Sequence, residues 1–265
     1  MKGRNLLKAL WILPLMGVRL LPYFNVPPEL QAVPLENAVV ECVSGQINFL
    51  QFDLITAVLV FFPLILFAFL FAVYLYSDSI GEGIYIYTRA GSRRGWFWKK
   101  SGKLFLLALL YQSLSLGSVF SLLLTGHYTV QSAPAFCYAA GYHILLSSLL
   151  CYIAALGVNI LSYSISSRLA FAAFVAAVIF LVAAAPVLYN ARQFVLFALN
   201  PLIQPLLSQH DLGAMEPLAM YSAEGLQGFT PGVSLLYLLL LSLGLTLFGC
   251  WYCGRQDVSV GAQDE

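Results

Sequence analysis

Histidine, cysteine and intramembrane charge are the groups in this chain able to do chemistry, and they are few and scattered. His127, His143 and His210 stand far apart, with no HExxH pair and no acid at ligand spacing. No metal site is therefore expected. No GxSxG elbow accompanies a histidine, and no paired aspartates fall in an apolar run, which argues against intramembrane hydrolysis. Ser101-Gly102-Lys103 resembles the end of a phosphate loop, but Leu104 follows the lysine and no glycine stands five residues before Gly102. A nucleotide cradle of that kind is absent. His143, two turns into an apolar run, reads as a hydrogen-bonded packing residue. Asp53 and Arg19 sit near the ends of apolar runs, where they either pair across helices or snorkel to headgroups. Cys250 and Cys253 form a CxxC without a second pair and read as small buried hydrophobes. Cys42 and Cys137 fall on one expected side, and a disulfide between them requires close backbone approach.

The elements that carry these residues follow from composition. The chain has 265 residues, of which 60% are hydrophobic and 9% charged. Its mean hydropathy is +0.84. A soluble domain carries roughly 25% charged residues, so a helical membrane protein is expected. Six apolar runs, at about 6–24, 52–76, 104–125, 137–161, 169–189 and 232–253, are each long enough for a span. The expected fold is all-α: one polytopic membrane domain over residues 1–265. The first run, interrupted by Pro14 and Arg19, can alternatively lie along the interface.

Lys and Arg placement sets the expected orientation. With both termini inside, Lys2, Arg4, Lys8, Arg89, Arg93, Arg94, Lys99, Lys100, Lys103, Arg168 and Arg255 are cytoplasmic, while Arg19 and Arg192 are outside. Segment 190–231 contains FVLFALNPLIQPLL, about half a span long and interrupted by Asn200, Pro201 and Pro205. It is expected to form an outer re-entrant or interfacial helical pair. A net charge of +1 gives no sign of a nucleic-acid partner.

Residues 77–103, SDSIGEGIYIYTRAGSRRGWFWKKSGK, hold most of the polar character. Ser79 and Glu82 have capping-box spacing for a short helix over Ile80–Tyr87. Gly91 suits a helix C-cap, and residues 89–93 a turn. Trp96, Phe97 and Trp98 suit an aromatic belt, with Lys99, Lys100 and Lys103 against anionic headgroups. A positive-inside loop explains the lysines and tryptophans. The ordered acid–glycine–aromatic–arginine series before them suggests a docking element.

EGIYIYTRAGSRRGWFWKK, between the second and third expected spans, resembles the cytoplasmic coupling segment of type-2 ABC exporter permeases. It is similar to Gram-positive members associated with peptide-antibiotic or immunity operons. Asn200-Pro201, in a broken segment before the last span, also fits that family. The resemblance implies a multi-pass subunit of a bacterial cell membrane that pairs with itself or with a sister permease. It further implies a separate cytoplasmic ATPase, which holds ATP and Mg; no cofactor is implied in this chain. Glu82, Gly83, Tyr85, Arg89, Gly91, Ser92, Arg93 and Trp96 would face that ATPase, and Asn200, Pro201 and Pro205 would belong to the outer gate. The implied cargo is hydrophobic or amphipathic, a peptide antibiotic or a lipid-like molecule. The short first run departs from the family's long amphipathic lead-in. The alternative expectation is a non-catalytic membrane adaptor or immunity protein that binds a partner without transport.

Overall fold

The computed structural model describes residues 33–40, 47–81, 92–123, 128–213, 215–221 and 226–255. These are mostly helical, and five of their helices are long and apolar enough to cross a membrane. The bundle is compatible with a multi-pass membrane protein. The expected first span lies outside the described residues, and so do Cys42, Glu82, Gly83, Tyr85, Arg89 and Gly91.

Strand β1 (Val33–Pro34) pairs in parallel with β2 (Tyr128–Thr129), Val33 opposite Tyr128. Helix α1 (Leu35–Ala38) follows β1. The second expected span consists of two pieces, α2 (Leu54–Leu70) and α3 (Tyr74–Gly81). Asp53 caps α2: its Oδ2 accepts from Thr56 N at 3.0 Å and Thr56 Oγ1 at 2.6 Å, which fixes the helix start. Then come α4 (Arg93–Leu123), α5 (Ala133–Leu161), α6 (Ser167–Asn190), the single-turn α7 (Phe194–Ala198) and α8 (Pro231–Arg255). Proline at the first position of α8 lacks only an amide hydrogen that a helix start leaves unbonded.

Successive long helices run antiparallel. Arg93, Arg94, Lys99, Lys100, Lys103, Arg168 and Arg255 therefore gather at one end, here termed the basic end, together with Asp78. Glu36, Asp53, Asp211 and Arg192 lie at the other, the capped end. Helix α5 runs through the middle and touches α2, α3, α4, α6 and α8. Its buried Ala139, Ala140, Ala154 and Ala155 let neighbours approach closely, since packing rather than hydrophobic exclusion holds helices together in lipid.

Helices α5, α6 and α8 start and stop within a few residues of the sequence expectation; α4 does not. It begins at Arg93, eleven residues before the expected 104, because Ser92 caps it: Ser92 Oγ accepts from Gly95 N at 3.1 Å, and its carbonyl from Trp96 N at 3.1 Å. Residues 93–103 are thus helix rather than loop. Trp96 and Phe97 are buried, leaving Trp98, 44% exposed, as the member of the trio available to headgroups. Ser79 is not a helix start either. It is buried inside α3, and its hydroxyl donates to the Tyr76 carbonyl at 2.8 Å.

The described part of 190–231 is not a helical pair. Beyond α7 it is a run of turns with short 3-10 stretches at Leu207–Gln209 and Glu216–Tyr221. Leu202, Ile203, Leu206 and Leu207 are all but fully buried, so the segment's apolar content closes the capped end of the bundle.

Candidate functional site

The basic end is organised by a break in the second span. Between α2 and α3, Phe71–Val73 form a turn closed by Tyr74 N on the Phe71 carbonyl, and the amides of Leu75 and Tyr76 are left to find partners off the helix. Asn159 of α5, 1% exposed, takes them up. Its Oδ1 accepts from Leu75 N at 2.7 Å and Tyr76 N at 3.3 Å. Its Nδ2 donates to the carbonyls of Phe71 and Ala155, each at 2.7 Å. One amide thereby satisfies both sides of the break; an interrupted helix survives at membrane depth only when its freed groups find partners.

Beyond the break, α3 is tied to α4. Asp78 pairs with Lys100, and the Lys100 ammonium lies 5.2 Å from the Tyr74 ring centroid. Helix α4 is tied in turn to α8. A Cβ added at Gly249 would meet Phe97 Cζ at 2.5 Å and Ile160 Cδ1 at 2.7 Å, so α4, α5 and α8 converge on a position with no side chain. One turn on, Arg94 Nε would lie 3.2 Å from a Cβ at Gly254, and Arg255 stacks over Trp251 at 4.5 Å.

Helix α4 has 31 residues. At about 1.5 Å per residue it spans roughly 46 Å, against about 30 Å of hydrocarbon. Its first turns carry Arg93, Arg94, Lys99, Lys100 and Lys103 and pack against α3 and α8. Arg93 and Arg94 occupy the first turn, which contains no acid. Cations there oppose the helix dipole, so the dipole does not account for them.

Among the sequence-derived coupling residues, Ser92, Arg93 and Trp96 are described and sit together at the start of α4. Ser92 is the cap, Arg93 is half-buried in the first turn, and Trp96 is in the core. The remaining five fall in 82–91, outside the described residues, as does the Cys42 partner of the expected disulfide; Cys137 itself is exposed. Cys250 and Cys253 are buried on one face of α8.

At the capped end, Asn200 Nδ2 donates to the Leu181 carbonyl at 2.9 Å, and Oδ1 accepts from Leu202 N at 3.0 Å. Gln204 Nε2 donates to the Ala198 and Asn200 carbonyls. Pro201 and Pro205 lie in the turn around them, Pro205 buried. His210 is fully buried. Its Nδ1 is 2.9 Å from the Leu206 carbonyl and its Nε2 is 2.7 Å from Ser234 Oγ. Because a carbonyl only accepts, Nδ1 carries the proton, and Nε2 accepts from the serine hydroxyl. Burial, partly offset by the Leu206 bond, lowers the His210 pKa from 6.5 to about 4 and keeps the ring neutral.

Two further residues were missed by sequence reasoning. Glu36, 1% exposed, accepts from Ser132 N at 2.8 Å and Gln131 N at 3.3 Å, so its carboxylate serves the N-terminus of α5 from a distant segment. Asn159 is the other. Neither carries a local signal, because each serves backbone 84 to 96 residues away.

Helices α2, α4, α5 and α8 also share internal polar contacts. Gln112 Nε2 donates to Cys151 Sγ at 3.1 Å, Tyr152 Oη meets Thr246 Oγ1 at 2.6 Å, and Tyr111 Oη donates to the Pro63 carbonyl at 2.8 Å. Among the described residues no cluster of three metal-ligating side chains occurs. No family model, curated protein or solved structure matches the chain.

Proposed function

We propose that this chain is the membrane subunit of an ATP-driven exporter, worked by a separate cytoplasmic ATPase that holds ATP and Mg. In this reading the basic end faces the cytoplasm, as the Lys and Arg distribution favours, and residues 82–96 receive the motor. A second permease, identical or sister, completes the path for a hydrophobic or amphipathic cargo.

The observation that carries the reading is the separately hinged α3. Residues 82–91 join α3 to α4 in the chain. Each of those helices is fastened to the core, α3 through Asn159 and the Asp78–Lys100 pair, α4 through Phe97 against Gly249. A push on the connecting residues reaches the central helix through the break at Phe71–Val73, where the ladder already yields. The likeness of EGIYIYTRAGSRRGWFWKK to coupling segments supports the same assignment.

A non-catalytic adaptor or immunity protein is the competing reading. The mutual pairing of interior polar groups such as Gln112–Cys151 and Tyr152–Thr246 favours it, because those groups spend their hydrogen bonds on each other rather than on a cargo. Isolation of the chain from its native membranes in mild detergent, followed by mass spectrometry, separates the two. The exporter reading predicts a nucleotide-binding subunit in a fixed ratio. The adaptor reading predicts a partner without one.

A further inference from the structure

A crevice of about 360 Å³ opens at the capped end between α7, residues 226–229 and the first two turns of α8. It lies at the small end of ligand-sized cavities, which run from roughly 300 to 1,000 Å³. Phe194, Ala198, Leu226, Phe229, Val233 and Tyr237 line it, with no charged side chain in the wall.

The walls are held in place by polar contacts behind them. Phe229 lies flat against buried His210, with ring centroids 4.5 Å apart and planes within 9°. His210 is anchored in turn by Leu206 and Ser234. On the far wall, Tyr237 Oη donates to the Leu199 carbonyl at 2.8 Å and ties α8 to the residues after α7. Both aromatic walls thus have their orientation fixed before anything enters.

The rim decides what enters. Val195, Leu199 and Val233 are exposed there, and the apolar surface continues through Leu196, Leu236 and Leu240. Val233 and Tyr237 open a helix long and apolar enough to cross a membrane, which sets the crevice at the capped-end boundary of the span, beside its exposed apolar face. Arg192 stands two residues before Phe194, within about 7 Å of it along the chain. It is exposed, adopts the left-handed backbone (φ 55°) rare for a side chain of its size, and is the one Lys or Arg of the capped end among the described residues.

The geometry points to a lipid site: one alkyl chain of an anionic bilayer phospholipid enters the crevice, with its headgroup beside Arg192. This inference depends on the membrane placement alone and not on the exporter reading.

The experiment reconstitutes the full chain in phosphatidylcholine vesicles doped with a phosphatidylglycerol that bears a diazirine near one chain end. After irradiation, labelled peptides are mapped. Label concentrates on 194–199 and 226–237, and falls about tenfold, equivalent to about 1.4 kcal/mol, in Ala198→Trp. Val233→Trp fills the same space from the exposed rim, where folding is not at stake, and gives the same loss. Leu247→Trp, exposed elsewhere on α8, leaves labelling unchanged. The same probe with a choline headgroup labels less, and Arg192→Gln abolishes that difference. Label spread evenly over the exposed apolar faces, or undiminished in both filled variants, overturns the site. Equal labelling by the two headgroups overturns its anionic preference.

Discussion

Single residues carry the arrangement at both ends. Asn159→Leu leaves the amides of Leu75 and Tyr76 without their partner, while the Phe71 carbonyl keeps its bond from Tyr74 N. At about 1–3 kcal/mol for each buried orphan, the variant should lose several degrees of thermal stability in detergent, measured by tryptophan fluorescence. An unchanged melting temperature would mean that the break does not depend on this side chain. His210 gives a pH signature. Its folded pKa of about 4 lies below the unfolded 6.5, so the unfolded chain binds the additional proton between those values. Stability contributed by the neutral ring is complete above pH 6.5 and is lost as pH falls through that window toward 4. His210→Asn should flatten that part of the melting-temperature profile, and a profile identical to wild type contradicts the assignment. In the sequence His210 was one histidine in a connecting segment, and Asn159 one polar residue in a span. Their roles became visible only once distant backbone was brought to them.

The helices were legible where hydropathy changes sharply at both ends. Ser166 and Thr230 precede apolar stretches, and α6 and α8 follow them. Helix α4 was misjudged because a lysine- and arginine-rich stretch reads as loop, whereas a capped helix continues through it when one face, here Trp96 and Phe97, remains buried. FVLFALNPLIQPLL was misjudged in the opposite sense. Its apolar residues signal burial, and Asn200 and Gln204 supply in turns the backbone partners that a helix would supply itself. Two glycines of α8 test the packing of these elements. Gly249→Ala drives a methyl into Phe97 and Ile160 and should cost about 1–3 kcal/mol by overpacking. Gly244→Ala, with nothing within 4 Å, should be neutral or stabilising. Equal melting temperatures for the two variants would show that α4 and α8 do not meet closely at the basic end.

At the scale of the molecule, the two ends differ in kind. The capped end is closed by buried turns, the Glu36 carboxylate and His210. The basic end carries cations on a helix start whose dipole disfavours them, which suits a surface that another protein reads. Reporter fusions after Arg255 and within 211–230 should place these positions on the cytoplasmic and outer sides respectively; the reverse result removes the basis for cytoplasmic coupling. Arg93→Glu separates coupling from folding when melting temperature is read alongside, since a glutamate in a first helical turn is favoured by the dipole. The decisive measurement is therefore ATP hydrolysis by the complex isolated through this chain, wild type against Arg93→Glu. The account predicts a co-isolated ATPase whose turnover responds to cargo in the wild type and loses that response in the variant, with melting temperature preserved. Cargo-stimulated turnover that is the same in both, or a chain that isolates with no ATPase at all, contradicts it.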